Sequence, residues 1–234
     1  DFADVPPTIT IHEGQNMALL DVQLDFNKNG GLDLIDRYVL PLTIAPGQGY
    51  ERNPRKNYAT AMLRILPYTT YSGIYQATNL QYCLLNDKGE QDGESAGMET
   101  VQAYTCGKNE VFMYAGTNTE SSLLRKWFRI YVRFEPDEGS DGKSGNVYMY
   151  TKDEENPDLN FSQPHPARFN IIEAMDAVQT YILRRTLVVK DIEYVYTDTK
   201  TAPDASLTYK VAGTLTMERK LNTQMPEEDQ IMWD

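Results

Sequence analysis

The sequence predicts an all-β protein of two antiparallel domains. Apolar and polar residues alternate with a period of two along much of the chain, the mark of half-buried strands. Turn residues interrupt that pattern at short intervals, with no regular alternation of strand and long helix. Sixteen tyrosines and seven phenylalanines among 234 residues suit pleated surfaces, on which aromatic rings pack well. The first domain is placed at residues 1–67 and the second at residues 68–234, with the boundary near Pro67–Thr70, where LRIL meets PYTT.

Strands of the first domain are read from three stretches. In MALLDVQLDF, Leu20, Val22, Leu24 and Phe26 alternate with Asp21, Gln23 and Asp25. In YVLPLTI, Leu40, Leu42 and Ile44 repeat the period, and Pro41 between them assigns that strand to a sheet edge. NYATAMLRI supplies the third. Three strands with polar turns make a sandwich-like unit.

In the second domain YSGIYQATNLQYCLL reads as a strand pair or one bent strand, with Gly73 at the bend. NDKGEQDGESAG (86–97) is expected to be an acidic loop, and strands follow at 100–106 and 111–115. LRKWFRIYVRFEP (124–136) is the clearest strand, DEGSDGKSGN (137–146) a second acidic loop, VYMYT a short strand and DEENPD an acidic turn. The prolines of FSQPHPARFNI argue against helix there. EAMDAVQTYIL (173–183) fits either a helical turn or a bulged strand, and long strands are expected at 184–198 and 207–220. An open β-sandwich and a closed, lipocalin-like barrel both satisfy this order.

The formal net charge of −12 repels a phosphate backbone and an anionic membrane surface, so neither is an expected partner. No apolar run reaches the roughly 18 residues needed to span a bilayer. The chain opens abruptly at DFADVPP, close to its first strand, and reads as a processed or trimmed start. Cys83 and Cys106 fall in strands expected to be neighbours, and either a disulfide or two buried thiols fits them.

DFNKNGGLDLID (25–36) puts Asp25, Asn27, Asn29, Gly30, Asp33 and Asp36 at the ligand and turn positions of an EF-hand-type calcium loop. Its flanks read as strands, its last position is Asp where Glu is usual, and a hairpin turn favours the same residues. The expectation is a metal-free turn. His12 and His165 have no second ligand at metal spacing. No nucleophile elbow, phosphate-cradling loop or H-E-x-x-H helix is present. With 34 carboxylates, a glycosidase-like pair assembled from separate loops carries no information. No catalytic residue and no cofactor is implied.

On the 124–134 strand, Lys126, Phe128, Ile130, Val132 and Phe134 fall on the core face, and Trp127, Arg129, Tyr131 and Arg133 on the other. Exposed rings on a rigid strand suit stacking against a sugar, with the guanidinium groups donating to its hydroxyls. The same residues also suit an ordinary surface on which Arg packs over Trp and Tyr. These four are the candidate carbohydrate-binding residues, and a neutral glycan is the expected ligand because the nearby loops are acidic.

Two segments resemble known families. ITIHEGQ, LDVQLDF, RYVLPLTI and NPRKNYATAMLRI resemble the second half of an N-terminal domain of unknown function in Bacteroidetes surface lipoproteins. YSGIYQ resembles the usual opening of the domain that follows it, and VAGTLTMERKLNTQMPEEDQIMW its C-terminal signature. The resemblance implies an Ig-like first domain, incomplete here or completed by a neighbouring segment, because the family's strands before the I-x-I segment are missing. It also implies a lipid-anchored place at the outer-membrane surface, the anchor lying outside this chain, beside glycan-capture and import proteins of polysaccharide-utilisation systems. No binding residue carries over from the family. A non-catalytic glycan-associated surface protein is therefore expected. The alternative is a scaffolding module of an outer-membrane assembly, followed by a hydrolase or its accessory. A tail pinned by Met225 and Trp233 is expected at the C-terminus.

Overall fold

The computed structural model describes residues 3–25, 38–47, 49–51, 55, 59–65, 67–152, 156–202 and 205–226. The chain divides into two compact units, Asp1–Pro67 and Tyr68–Asp234.

In the first unit, β1 (Ala3–Asp4) pairs with β2 (Gln23–Leu24), and β3 (Tyr38–Thr43) with β4 (Thr60–Ile65), both antiparallel. Along β3 exposure alternates as the sequence requires, with Tyr38, Leu40 and Leu42 on the more buried side. Pro41 faces Met62 in this ladder, and a two-stranded ladder leaves each strand a free edge that tolerates the missing N–H. The long strand expected over 20–26 is reduced to Gln23–Leu24, with Phe26 outside the described residues. Alternation sets which face a side chain takes, but a strand also needs a neighbour. Among the described residues this unit forms two small ladders and no sandwich.

The second unit contains β5 (Gly73–Gln76), β6 (Gln81–Leu85), β7 (Gln91–Gly97), β8 (Thr100–Gly107), β9 (Glu110–Tyr114), β10 (Arg129–Pro136), β11 (Ser144–Tyr150), β12 (Ala167–Met175), β13 (Ile182–Asp198) and β14 (Leu207–Asn222). Strands β13-β12-β11-β10-β9-β8-β5-β14 run in that order, and β14 pairs back to β13. The result is a closed eight-stranded antiparallel barrel, the lipocalin-like alternative and not the open sandwich.

The β6–β7 hairpin leans on the side of this barrel. Residues 208–212 of β14 pair with β6, and Thr216 pairs with Gln76 of β5. The switch falls at Gly213, whose φ is +144° and where a Cβ would collide with the Asn79 carbonyl. Opposite it, β13 carries a bulge between Val189 and Ile192, the usual device for bending a long barrel strand.

The barrel interior is a packed core. Tyr75, Val111, Ile130, Val132, Val147 and Leu187 are almost fully covered. Toward one end, Tyr71 stacks on Phe134 at 4.1 Å and meets Phe169 edge-on at 5.7 Å. Toward the other, Phe128 meets Tyr196 edge-on at 6.3 Å.

Several expectations need correction. Residues 91–97, read as loop, form β7 on β6. All seven are exposed, so a strand outside the barrel had no apolar face to show. The 124–136 strand begins only at Arg129, and residues 125–128 form a 3-10 turn. β11 starts at Ser144, inside the expected loop. The ambiguous 173–183 stretch is the end of β12, a tight turn and the start of β13. Both cysteines are free. Cys83 in β6 and Cys106 in β8 are not on adjacent strands, since β8 pairs with β5 and β9. The calcium-like loop lies outside the described residues beyond Asp25, and Trp233 lies outside them too. Met225 stands largely exposed. The chain before it is tied down by Thr223, whose N–H and hydroxyl donate to the Tyr181 carbonyl at 2.8 and 3.0 Å.

Candidate functional site

The four residues singled out from the sequence do not share one open face. Arg129, Tyr131 and Arg133 alternate along β10 as predicted, opposite the core residues Ile130, Val132 and Phe134. Trp127 sits one step earlier in the 3-10 turn, where a three-residue period replaces the strand period. Tyr131 is 0% exposed, so it offers no ring to a ligand. The Lys152 ammonium lies 4.0 Å from its ring centre, and Tyr150 stacks against it at 5.7 Å.

The outer face of this part of the barrel is thus a second aromatic layer roofed by cations. Tyr104 stacks on Phe112 at 5.0 Å, and the Arg129 guanidinium covers the Phe112 ring at 5.0 Å. Arg133 lies over Tyr148 and Tyr150 at 5.5 and 5.9 Å and pairs with Glu135 at 2.9 Å. Long cationic side chains cover apolar rings with their stems and keep their charge in water. The Tyr150 hydroxyl donates to Glu110 at 2.6 Å. Burial, with Glu110 adding to it, pushes the Cys106 thiol up to about 12. A thiol held protonated in this way is not a nucleophile.

Trp127 instead lines a shallow depression at one end of the barrel, with an enclosed space of about 10 Å³, lined also by Asn156, Asp158, Thr197, Thr199 and Lys200. The residue is 41% exposed. Lys200 places its ammonium 4.5 Å from the Trp127 ring centre and 2.7 Å from Asp158. The backbone that carries Lys200 is fixed by Asp198, whose carboxylate accepts the N–H groups of Lys200 and Thr201 at 2.8 and 2.9 Å. Asn156 is only 3% exposed. Its Nδ2 donates to the Arg129 carbonyl at 2.8 Å, while its buried Oδ1 has no hydrogen-bond partner among the described residues.

This arrangement can stack on a ring and exchange hydrogen bonds with it. The enclosed space has room for about one water molecule, so any larger group would lie on the open surface beside Trp127. Burial pushes the nearby Tyr194 hydroxyl up to about 12, and it accepts the Gly116 N–H at 3.2 Å. His165 lies apart, exposed and 3.7 Å from Glu193, which also pairs with Lys210 at 2.7 Å. Among the described residues no group of His, Cys, Asp or Glu is arranged to hold a metal. Likewise, no helix among them is long and apolar enough to cross a membrane.

Sequence reasoning singled out Trp127 and said nothing of the residues around it. Asn156 and Asp158 looked like part of an acidic turn, Thr197 like a strand end, and Thr199 and Lys200 like the turn after it. The segment 156–162 packs on the end of β13 and brings residues 127, 156 and 200 together, and no local pattern reports that.

The geometry can be set beside known proteins. No curated protein matches the chain. An auxiliary nutrient binding protein from Bacteroides thetaiotaomicron has a similar crystal structure, at 29% identity and a TM-score of 0.82, over 98% of this chain and 71% of that one. A protein of unknown function from Bacteroides ovatus is similar at 28% identity and a TM-score of 0.78, over 98% of this chain and 72% of that one. A multidomain protein including DUF1735, also from Bacteroides ovatus, is similar at 27% identity and a TM-score of 0.78, over all of this chain (100%) and 74% of its own. Residues 59–216, more than half of the chain, match a family model described as "-like, C-terminal", and the chain therefore belongs to that family of C-terminal domains.

Proposed function

We propose that this chain is a non-catalytic, surface-associated protein that binds glycan, with Trp127 as its stacking platform. The observation that carries the reading is the half-exposed Trp127 ring, held on a fixed 3-10 turn beside a rim of hydroxyl, amide, carboxylate and ammonium groups. A rigid platform loses little ordering entropy on binding. Similarity to an auxiliary nutrient binding protein supports a nutrient-capture role. Of the other expected residues, Arg133 remains exposed on β10 but is already engaged with Glu135 and two rings, and Tyr131 is covered. Trp127 therefore carries the proposal alone.

Lipid anchoring at the outer membrane, work beside glycan-import proteins and an Ig-like completion of the first unit belong to the same proposal. The family resemblance and the strand alternation of residues 38–43 support them. A glycan-array screen of the intact protein, with calorimetry on each hit, tests the reading. Saturable binding that Trp127→Ala weakens supports it, and no saturable binding to any glycan overturns it.

A second reading, a scaffold acting by protein contact, is favoured by one observation. Leu123 is 96% exposed beside Leu124 in the loop leading to Trp127, and exposed apolar groups suit a protein partner. Glycan binding that Trp127→Ala abolishes separates the two.

A further inference from the structure

We propose that strand β4 (Thr60–Ile65) of the first unit pairs edge to edge with β4 of a second copy of this chain, joining two β3–β4 ladders into one four-stranded antiparallel sheet. The inference is independent of the glycan reading. It starts from the hydrogen-bond phase of the ladder. The Ile44 N–H donates to the Ala59 carbonyl at 2.8 Å, in the register that also sets Leu42 against Ala61 and Leu40 against Leu63. Bonded and non-bonded pairs alternate along an antiparallel ladder, so Leu40, Leu42, Ala61 and Leu63 use their backbone groups inside it. Val39, Pro41 and Thr43 turn theirs outward on the β3 side, and Thr60 and Met62 on the β4 side. Pro41 has no N–H, which spoils the outer edge of β3. The β4 edge is intact.

An intact edge is a template for another strand, and proteins usually guard it with charge, proline or a bulge. This chain does so at β7, the end strand of the large sheet. Asp92 and Glu94 lie in β7, Gly93 has a φ of +85°, and the register on β6 shifts between Tyr82 and Leu84. β4 begins TAMLRI, with no acidic residue, no proline and no shift in its register on β3. Its side chains are also uncovered. Leu63, on the face of Leu40 and Leu42, is 43% exposed, and Met62, on the face of Val39 and Pro41, is 67% exposed. A two-stranded ladder is marginal alone, and independent stability takes three or more strands with an apolar face.

A second copy fits this edge because the strand is complementary to itself. A two-fold axis through Met62 sets Met62 against its counterpart as a bonded pair, Ala61 against Leu63 and Thr60 against Arg64. The face formed by Tyr38, Leu40, Leu42, Ala61 and Leu63 then continues across the axis at double width, as an isologous contact requires. Arg64 is the one charge in the strand. It meets threonine and not its own copy, so no like charges stand directly opposite each other.

The test uses the intact chain at physiological salt, which screens the −12 charge of each copy. Sedimentation equilibrium from low to high micromolar concentration is expected to show a monomer–dimer equilibrium. Thr60→Arg puts like charges opposite each other at two symmetric places and is expected to weaken the dimer roughly 2- to 30-fold, whereas Thr60→Glu faces Arg64 and is expected to tighten it. Met62→Pro removes the central N–H, which the β3–β4 ladder does not use, and is expected to weaken the dimer at least about fivefold. Hydrogen exchange of the wild-type Thr60 and Met62 amides decides even if Met62→Pro fails to fold, because their protection should rise with protein concentration. A monomer at every concentration overturns the proposal, whether those amides exchange freely or are covered by another part of the chain. A dimer indifferent to the charge at residue 60, or one with unprotected β4 amides, overturns this pairing.

Discussion

Arg219 of β14 donates from Nη1 to the Tyr68 hydroxyl at 2.9 Å, and its guanidinium lies 4.5 Å from the centre of the same ring. The same side chain, only 4% exposed, donates to the Thr70 carbonyl at 3.2 Å and to the Ser72 carbonyl. It thereby fixes the segment that enters the barrel ahead of β5. Removing the guanidinium leaves buried carbonyls without donors. Arg219→Ala is expected to lower unfolding stability by roughly 3–5 kcal/mol. Tyr68→Phe keeps the ring and is expected to cost about 0.5–1.5 kcal/mol. Urea unfolding of both variants measures this, and a smaller loss for Arg219→Ala than for Tyr68→Phe contradicts the clamp.

That segment also inserts Tyr71 against Phe134 and Phe169. The ring belongs to the core of the barrel, so Tyr71→Ala opens a cavity there and is expected to cost about 3–5 kcal/mol. Tyr71→Phe keeps the ring and is expected to cost far less. Equal losses for the two in denaturant titrations mean that the aromatic packing is not what holds this end.

The barrel was legible where strands are long and buried on one face. β13 and β14 follow their apolar alternation over residues 184–198 and 207–220, because one face packs inward against the core. β7 was not legible, because both of its faces meet water and QDGESAG has no period to show. Phe128 followed the strand pattern by chance, since a residue just before β10 reaches the core from a 3-10 turn. The surroundings of Trp127 were not legible for a similar reason. Trp127 is conspicuous in any sequence, whereas Asn156 and Lys200 come beside it only through long-range folding. Tyr131 misled because alternation separates the two faces of a strand without saying whether the outer one is covered.

Asp176 shapes the β12–β13 turn. Its carboxylate accepts the N–H groups of Gln179 and Val178, both at 2.9 Å, and the Arg184 side chain at 2.7 Å, which together hold it down at about 2. An unfolded Asp titrates near 3.9. The folded value is the lower one, so this stabilisation is complete above about pH 5 and is lost as pH falls through about 4 toward 2. The stability difference between wild type and Asp176→Asn should therefore be constant near neutrality and shrink between about pH 4 and 2. A difference that stays constant through that range removes the ionised carboxylate from the explanation.

The two thiols should be inert in the folded protein. Cys83 is buried away from reagent, and the Cys106 thiol is held protonated, near 12, so its own thiolate is scarce at pH 8. Alkylation by iodoacetamide is expected to be slow for both and to become fast in denaturant. Rapid labelling of the native protein at Cys106 contradicts the burial described for β8.

Barrel closure depends on Gly213. Its φ of +144° and its contact with the Asn79 carbonyl leave no room for a Cβ at the point where β14 passes from β6 to β5. Gly139 supplies the control, because its φ is +75° and nothing lies within 4 Å of an added Cβ. Gly139→Ala meets only the backbone penalty, about 1–2 kcal/mol. Gly213→Ala meets that kind of strain and a collision with main chain that cannot rotate away. It is expected to cost more than about 3 kcal/mol and to loosen the β6–β7 hairpin. Thermal unfolding orders the two variants, and hydrogen exchange at residues 81–85 reports the hairpin directly. Equal destabilisation of the two, with exchange at β6 unchanged, means that the strand switch does not require this glycine.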